Sequence, residues 1–191
     1  MISLTPPFTE EKIRALKVGD EVTISGVLFT GRDALHKYLH DGGRLPDGVS
    51  FRDGILYHCG PVVIKDERGD WKCVAAGPTT SAREEPYQGQ IIHDFGLRGV
   101  IGKGGMGERT LRACQECGCV YLHAVGGAAQ VLSECITRVR NVYFLKEFGS
   151  PEAVWEFEVK NFPAVVTMDA HGRSLHQEVF AASEKALAGL L

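Results

Sequence analysis

The chain reads Gly99-Val100-Ile101-Gly102-Lys103-Gly104-Gly105-Met106 near its middle, where a short apolar run passes directly into a glycine-rich loop. The same order returns downstream, where residues 120–124 run into Gly126-Gly127 and then into a helical stretch that ends at Cys135. A repeated alternation of strand, glycine loop and helix is typical of α/β proteins. These two stretches therefore predict an α/β fold.

The first half of the chain is predicted to be richer in strands. Thr9-Glu10-Glu11 combines a capping hydroxyl with an acidic first turn, which indicates the start of a helix. Residues 21–29 alternate as a strand does, and residues 32–40 are predicted to form a helix that stops at two glycines. Two short strands follow, at 55–59 and 71–76, separated by a polar turn at 65–70.

The second half ends in further strands and a helix. Strands are predicted at residues 142–145, 155–159 and 164–168, and the last helix at 175–191. No repeat, low-complexity tract or long linker interrupts the sequence. The pattern predicts one mixed α/β domain that spans residues 1–191.

Composition limits the class of protein. The 191 residues carry a formal net charge of -3, with 44% hydrophobic and 24% charged residues, as in an ordinary globular protein. The negative balance argues against nucleic-acid binding, which needs an excess of basic side chains. No apolar run reaches membrane-spanning length and no signal-peptide pattern is visible, so we expect a cytoplasmic protein that binds neither nucleic acid nor membrane. Six cysteines in that setting favour free thiols over disulfides.

The motif Gly77-Pro78-Thr79-Thr80-Ser81-Ala82-Arg83 concentrates hydroxyl groups beside a cation. It leaves a strand, turns at the proline and begins a helix near Thr80 or Ser81. Amides at a helix start favour an anion, and an arginine can bind a carboxylate through two parallel hydrogen bonds. The alternative is that the hydroxyls merely cap a helix while Arg83 lies in solvent. The motif predicts either an anion site or an ordinary cap.

Two further cations stand at similar junctions. Lys103 lies among glycines, but Gly107-Glu108 follow where a phosphate loop needs a hydroxyl, so a small acid fits this loop better than a nucleotide. The alternative is a glycine turn with the lysine in solvent. Arg32 stands in Thr30-Gly31-Arg32-Asp33, where a surface Arg–Asp pair at a helix start is the ordinary interpretation.

Cysteine and histidine patterns are less specific. Cys114, Cys117 and Cys119 are closely spaced, but a zinc or iron–sulfur site needs about four ligands and no second pair follows at a matching spacing. We interpret them as buried or incidental thiols and predict no metal ligand in this chain. His58 and His123 lie in strand-like runs and are predicted to be hydrogen-bonded histidines of the core or rim rather than bases.

Taken in order, these junctions resemble a known family. The chain is similar to the β subunit, or C-terminal domain, of class I iron–sulfur fumarases and of the related L-tartrate dehydratases. The pieces that carry the resemblance are Gly31-Arg32-Asp33-Ala34, His58-Cys59-Gly60-Pro61, Gly77 to Arg83, Gly102-Lys103-Gly104-Gly105-Met106, Gly126-Gly127-Ala128, Phe148-Gly149-Ser150-Pro151-Glu152-Ala153 and Asp169-Ala170-His171-Gly172. They cover nearly the whole chain.

The resemblance implies an architecture and a partner. It implies a three-layer β/β/α domain with mixed sheets that swivels to close over an α subunit, within an assembly of two α and two β subunits. It also implies that the α subunit ligates a 4Fe-4S cluster, which acts as a Lewis acid when hydroxide leaves C2 of malate. Loss of a C3 proton then gives fumarate.

The resemblance also implies roles for four residues. Arg32, Arg83 and Lys103 would bind the carboxylates of a small dicarboxylate, and Thr79 would be the base, with Lys103 acting beside it. A threonine hydroxyl is a weak base, so nearby cations would have to stabilise its alkoxide.

Two departures from the family pattern leave the proposed site residues unchanged. Glu84-Glu85 and Ser150 stand where the family often has methionine, although neither replaces a proposed site residue.

One run of sequence bears on the substrate. The run Asn161-Phe162-Pro163-Ala164 is more similar to fumarases than to tartrate dehydratases. The sequence therefore predicts a fumarase β subunit, active only with its α subunit. The alternatives are a tartrate dehydratase β subunit and a stand-alone module that binds an anion or a metal.

Overall fold

The structure, a computed structural model, describes residues 1–190; the predicted end of the last helix, Leu191, lies outside the described residues. In chain order the strands are β1 (Ile2–Leu4), β2 (Glu21–Thr30), β3 (Ile55–Tyr57), β4 (Val62–Lys65), β5 (Trp71–Ala75), β6 (Gly99–Gly102), β7 (Val120–His123), β8 (Ile136–Tyr143) and β9 (Val154–Met168). The helices are α1 (Glu10–Arg14), α2 (Asp33–His40), α3 (Glu85–Phe95), α4 (Glu108–Cys117), α5 (Ala129–Glu134), α6 (Leu145–Phe148) and α7 (Leu175–Ala188). A 3₁₀ turn, Ser81–Glu84, leads directly into α3.

Five strands close into a ring. Strands β2, β3, β6 and β7 are parallel neighbours in that order, and β9 closes the ring by pairing antiparallel with both β7 and β2. Outside the ring, β1 pairs with β2 and β8 pairs with β9, while β4 and β5 form a separate antiparallel hairpin. The predicted mixed α/β class is confirmed. The three-layer, swivelling arrangement stays a prediction.

The parallel strands are buried on both faces. Leu56, Val100 and Tyr121 pack in one apolar cluster with helices α2, α3 and α4. Their sequence neighbours belong to a second cluster on the opposite face, centred on the aromatic side chains of Trp155 and Phe157. Strands covered on both faces are continuous apolar runs in sequence. This burial explains why β3, β6 and β7 could be predicted from short apolar stretches.

Local signals also placed several ends of elements correctly. Thr9 caps α1, as predicted, because its hydroxyl accepts from the amide of Lys12.

Glu85 caps a second helix, α4, although it lies more than 20 residues before that helix and the sequence did not identify it as a cap. Its carboxylate accepts from the amides of Gly107 and Arg109 and from the Thr110 hydroxyl, at 2.7–3.0 Å, at the start of α4. A carboxylate at a helix N-terminus is stabilising.

Three predicted strands differ from the structure. The two predicted at 155–159 and 164–168 are one strand, β9, which accommodates Asn161 at a φ of +54° where its pairing with β2 shifts register. A β-bulge absorbs the extra residue that the sequence presented as a break. The strand predicted at 142–145 is instead β8, which ends at Tyr143 before Phe144 adopts a left-handed conformation. Strand β4 was not predicted.

Candidate active site

The four candidate residues lie at one edge of the ring. Arg32 follows β2, and Lys103 follows β6, at the carboxyl ends of parallel strands. The loop that carries Thr79 and Arg83 is fastened to the same edge, because the Thr79 amide donates to the carbonyl of His58 at 2.7 Å and its carbonyl accepts from the Lys103 amide at 3.3 Å. In α/β proteins, with closed or open sheets, ligands bind at the carboxyl ends of the parallel strands. The structure thus brings the predicted residues to one region.

Thr79 and Arg83 contact each other directly. The guanidinium Nη2 of Arg83 donates to the Thr79 hydroxyl at 3.0 Å, and its Nε donates to Asp33 at 3.1 Å. Thr80 occupies the cap position of the 3₁₀ turn, but no hydroxyl caps it. The helix-cap alternative is therefore wrong. Instead, the Thr79 hydroxyl binds Arg83, and the Ser81 hydroxyl binds Tyr121 and His58.

Two amides of the motif are not open to an anion. The Thr79 amide is used by His58, as described above, and the Ser81 amide donates to the carbonyl of Lys103 at 3.0 Å. The expectation that amides at the helix start would bind the anion is wrong for these two positions. The Arg83 guanidinium, whose side chain is 45% exposed, is the cation that this loop offers to a ligand.

Arg32 pairs with a carboxylate that the sequence did not link to it. Its Nε lies 3.3 Å from Glu152 Oε1, and Glu152 Oε2 accepts from the Ala34 amide at 3.0 Å. The expected local Arg32–Asp33 pair is wrong, because Asp33 binds Arg83 instead. Within residues 1–190, the Nη groups of Arg32 make no protein hydrogen bond, so they are available to a ligand.

Lys103 is half-buried on a loop whose backbone needs glycine. Gly104 and Gly105 have φ of +82° and +79°, and a Cβ at Gly105 would lie 2.5 Å from the His176 ring. The Lys103 side chain passes close to Gly126 and forms no ion pair with any other described residue. A lysine without a carboxylate partner at the edge that holds two paired arginines can bind an acidic ligand.

A buried hydrogen-bonded cluster lies beneath these side chains. The Ser81 hydroxyl accepts from Tyr121 at 2.8 Å and lies 2.9 Å from Nδ1 of His58, and all three side chains are buried. A Cβ at Gly102 would overlap the Ser81 hydroxyl, so only glycine fits at the end of β6. The motif's serine therefore anchors the loop from below, while its threonine and arginine face outward.

The cluster continues through Gln88 to the start of α2. The Gln88 side-chain amide lies 2.8 Å from Nε2 of both His58 and His36, and His36 Nδ1 lies 2.8 Å from the Arg32 carbonyl. A carbonyl only accepts, so His36 Nδ1 carries a proton. Burial lowers the pKa of both histidines, which favours neutral rings. The cluster thus joins the junction of Arg32 to the loop of Thr79.

Glu84 is buried next to His36, and its carboxylate makes no hydrogen bond with any described residue. Its carboxylate lies 3.6 Å from His36 Nδ1, and both oxygens lack a hydrogen-bond partner among the described residues. Burial, with the nearby charge of Asp33 as the next cause, raises the pKa of Glu84 to about 8. The side chain is therefore largely protonated at neutral pH.

The two histidines singled out from the sequence differ. His58 is fully buried with both ring nitrogens in hydrogen-bond contact, as predicted. His123 is half-buried, and its Nδ1 has no hydrogen-bond partner within residues 1–190, so the same prediction is wrong for this ring. Its pKa is lowered by burial. Sequence reasoning missed Gln88 altogether, and it did not predict the contacts of Ser81, Glu84 and Glu152, since only the folded chain connects them.

The cysteines do not form a ligand set in the described part of the chain. All six are free thiols, and four of them are buried. Among residues 1–190, no three His, Cys, Asp or Glu side chains are placed to hold a metal ion. These donors do not fit a 4Fe-4S cluster. No helix within the same residues is long and apolar enough to cross a membrane.

Comparison of the sequence with known proteins shows which family the chain belongs to. The family model described as "Fumarase C-terminus" matches residues 1–179. A protein of Geobacillus stearothermophilus named "Putative fumarate hydratase class I" is 58% identical over 179 residues, which are 94% of this chain and 34% of the relative. The chain therefore spans about a third of the length of that relative.

Shorter relatives match over most of their length. A Methanocaldococcus jannaschii protein named "Putative L(+)-tartrate dehydratase subunit beta" is 43% identical over 90% of this chain and 89% of its own. The Escherichia coli K12 protein named "L(+)-tartrate dehydratase subunit beta" is 35% identical over 92% and 86%. A match that covers nearly the whole chain settles the relationship, and the protein belongs to the fumarase C-terminus family.

Proposed function

We propose that this chain is the β subunit of a two-subunit class I fumarase, which catalyses the reversible hydration of fumarate to (S)-malate. One observation carries the proposal: the Thr79 hydroxyl accepts a hydrogen bond from Arg83 at the edge where Arg32 and Lys103 also lie. A dicarboxylate needs fixed cations at both ends, and its C3 proton needs an acceptor between them.

The chain's own residues supply binding and proton transfer in this proposal. Arg32, through its free Nη groups, and Lys103, which has no carboxylate partner among the described residues, bind the substrate carboxylates together with Arg83. Thr79 takes the C3 proton when malate is dehydrated and returns it when fumarate is hydrated. Because the Arg83 cation lies 3.0 Å from the Thr79 oxygen, it stabilises the alkoxide that a threonine base must become.

The proposal assigns the 4Fe-4S cluster to an α subunit. The described residues of this chain offer no set of donors for it, and no step given above depends on this chain binding iron. The arginines and the lysine are open to solvent or half-buried in the isolated chain. Closure of the α subunit over this edge, by the swivelling motion expected of the domain, would exclude water and strengthen their attraction for carboxylates.

A tartrate dehydratase β subunit is the second candidate. The higher identity favours the relative named as a fumarate hydratase, but the chain covers about a third of that protein. It covers 86–89% of the relatives named as tartrate dehydratase β subunits, which are separate chains of similar length. The higher identity supports fumarate as the substrate of the proposed enzyme, and the fuller match to the β subunits makes tartrate the second candidate.

The deciding experiment is anaerobic co-expression of this chain with an α subunit that supplies the cluster cysteines. The purified complex is assayed with fumarate, (S)-malate and L-tartrate, and the cluster is quantified by its absorbance. We expect interconversion of fumarate and malate, and none by either chain alone. A complex with an intact cluster that turns over only tartrate establishes the second candidate. If instead the isolated chain binds an anion or a metal tightly and no complex forms, the protein is a stand-alone binding module.

A further inference from the structure

A second group of reactive side chains lies at the ends of α3 and α4. Cys117 is the last residue of α4, and its sulfur lies 3.2 Å from Nδ1 of His93 in the last turn of α3. The other ring nitrogen of His93 lies 3.0 Å from a carboxylate oxygen of Glu116. Within the described residues this group shares no hydrogen bond with Arg32, Thr79, Arg83 or Lys103.

The hydrogen-bond partners fix where the protons are. An ionised carboxylate only accepts, so the Glu116 contact places a proton on Nε2 of His93. In the neutral ring Nδ1 is then the acceptor, and the Cys117 thiol donates its proton to it. A nucleophile that donates to an imidazole, which in turn donates to a carboxylate, is the arrangement of base-activated cysteines.

The other thiols lack this arrangement. Cys59, Cys73, Cys114 and Cys119 are buried. Cys135 is half-buried like Cys117, but its sulfur faces only the backbone carbonyls of Val131 and Asn161, both at 3.9 Å. The two half-buried cysteines are otherwise well matched, because each follows a glutamate in the sequence and burial raises the pKa of each thiol.

Because the pKa of each of these two thiols is raised, a neighbouring base decides which of them reacts readily. A thiol that stays protonated at neutral pH reacts slowly unless a neighbouring group takes its proton. For Cys117 the nearby Glu116 charge adds to the effect of burial, and the Arg98 guanidinium, which donates to the Cys117 carbonyl, opposes it. His93 is the group within hydrogen-bond distance that can accept the proton.

We propose that Cys117 is a modification site, a thiol that His93 activates toward small electrophiles and in particular toward hydroperoxides. In the step the thiol proton moves to His93 Nδ1 while the sulfur attacks one peroxide oxygen. The S–O bond forms, the O–O bond breaks, and the leaving oxygen takes the proton from His93. Sulfur is oxidised to a sulfenic acid, and the peroxide is reduced to water or an alcohol. The inference does not depend on the function proposed above.

The test compares two cysteines in the same protein. The purified full chain is treated briefly with iodoacetamide, and alkylation of the Cys117 and Cys135 peptides is followed by mass spectrometry. We expect Cys117 to react about tenfold faster or more. His93→Asn, which keeps a polar side chain but removes the base, is expected to bring the Cys117 rate down to that of Cys135 and to leave Cys135 unchanged. His93→Gln, a second variant that removes the base, is expected to lower the Cys117 rate in the same way.

A second measurement tests the oxidation itself. The chain is treated with hydrogen peroxide in the presence of dimedone, which traps sulfenic acids, and the adduct is expected on Cys117 and not on Cys135. Equal alkylation rates at the two cysteines, an unchanged Cys117 rate in His93→Asn, or a Cys117 that alkylates but forms no dimedone adduct each overturns the proposal. Circular dichroism confirms that each variant is folded, and if His93→Asn is not, an unchanged Cys117 rate in His93→Gln is the overturning result.

Discussion

Arg83 holds the Thr79 hydroxyl at 3.0 Å while its other side binds Asp33, at the start of the helix that follows Arg32. One guanidinium therefore fixes the candidate base and connects it to the neighbouring cationic junction. The carboxylate of Asp33 partly neutralises Arg83, and a substrate carboxylate would have to use donors that Asp33 leaves free. An arginine has five N–H donors, which permits both contacts at once.

The first prediction concerns Thr79 as the base. In the complex with the α subunit, Thr79→Ala is expected to lower kcat for malate dehydration by about 10²–10⁴-fold and to change KM little, because the proton acceptor acts in the transition state. Thr79→Ser keeps the hydroxyl and is expected to retain most of the activity. Steady-state kinetics measures both. Normal turnover by the alanine variant would remove Thr79 from the mechanism.

A different pattern is expected for Arg83. Arg83→Ala removes both a carboxylate ligand and the cation beside the Thr79 oxygen, so KM should rise and kcat should fall by about 10²–10³-fold. Arg112→Ala is the control, since Arg112 is an exposed arginine of α4. The same assay with substrate titration separates the two constants. A variant that changes KM alone would restrict Arg83 to binding.

The sequence predicted elements and residue types well where the signal is local. The Thr9 cap and the apolar strands β3, β6 and β7 depend on a few adjacent residues, and all were predicted. Strand β9 was divided in two because Asn161 and Pro163 are turn-forming residues, and only pairing with β2 shows that they form a bulge within one strand.

The site was predicted as a set of residues and not as a set of contacts. Arg32, Thr79, Arg83 and Lys103 are recognisable in sequence, and the fold brings them to one edge. Their partners lie far away along the chain. Asp33 is separated from Arg83 by 50 residues and Arg32 from Glu152 by more, so no local pattern connects them. The same distance hides the role of Ser81, which a sequence presents as one more hydroxyl at a helix start.

The third prediction tests the buried cluster. Ser81→Ala leaves two buried polar groups, the Tyr121 hydroxyl and His58 Nδ1, without their common partner, so the free energy of unfolding is expected to fall by about 1–3 kcal/mol. Tyr121→Phe removes one donor and leaves the Ser81–His58 contact, so its cost should be smaller. Urea denaturation measures both. Adding Tyr121→Phe to Ser81→Ala is expected to recover part of the loss, and strictly additive costs would contradict a hydrogen bond between Tyr121 and Ser81.

The last prediction concerns the buried carboxyl of Glu84. Its pKa is about 8 in the folded chain against an ordinary value of 4.5, so the folded state binds the proton more tightly than the unfolded state. The contribution of this group to stability is therefore complete below pH 4.5 and is lost as the pH rises through 8. Glu84→Gln, which is neutral at every pH, should escape this loss. Relative to the native chain it is expected to gain stability between pH 5.5 and 8, on the order of a few kcal/mol in total.

Urea denaturation of both proteins at several pH values measures the difference. Taking the difference removes the contribution of His58, whose lowered pKa acts in the opposite direction over the same range. His36 lies 3.6 Å from Glu84, so any change in its contribution is part of the measured difference. Glu147→Gln is the matched control, because Glu147 is an exposed carboxylate of α6. If the gap between Glu84→Gln and the native chain is independent of pH, Glu84 is ionised in the folded protein. The charge of Arg32 and Arg83 would then outweigh the effect of burial, since these are the two cations that lower its pKa.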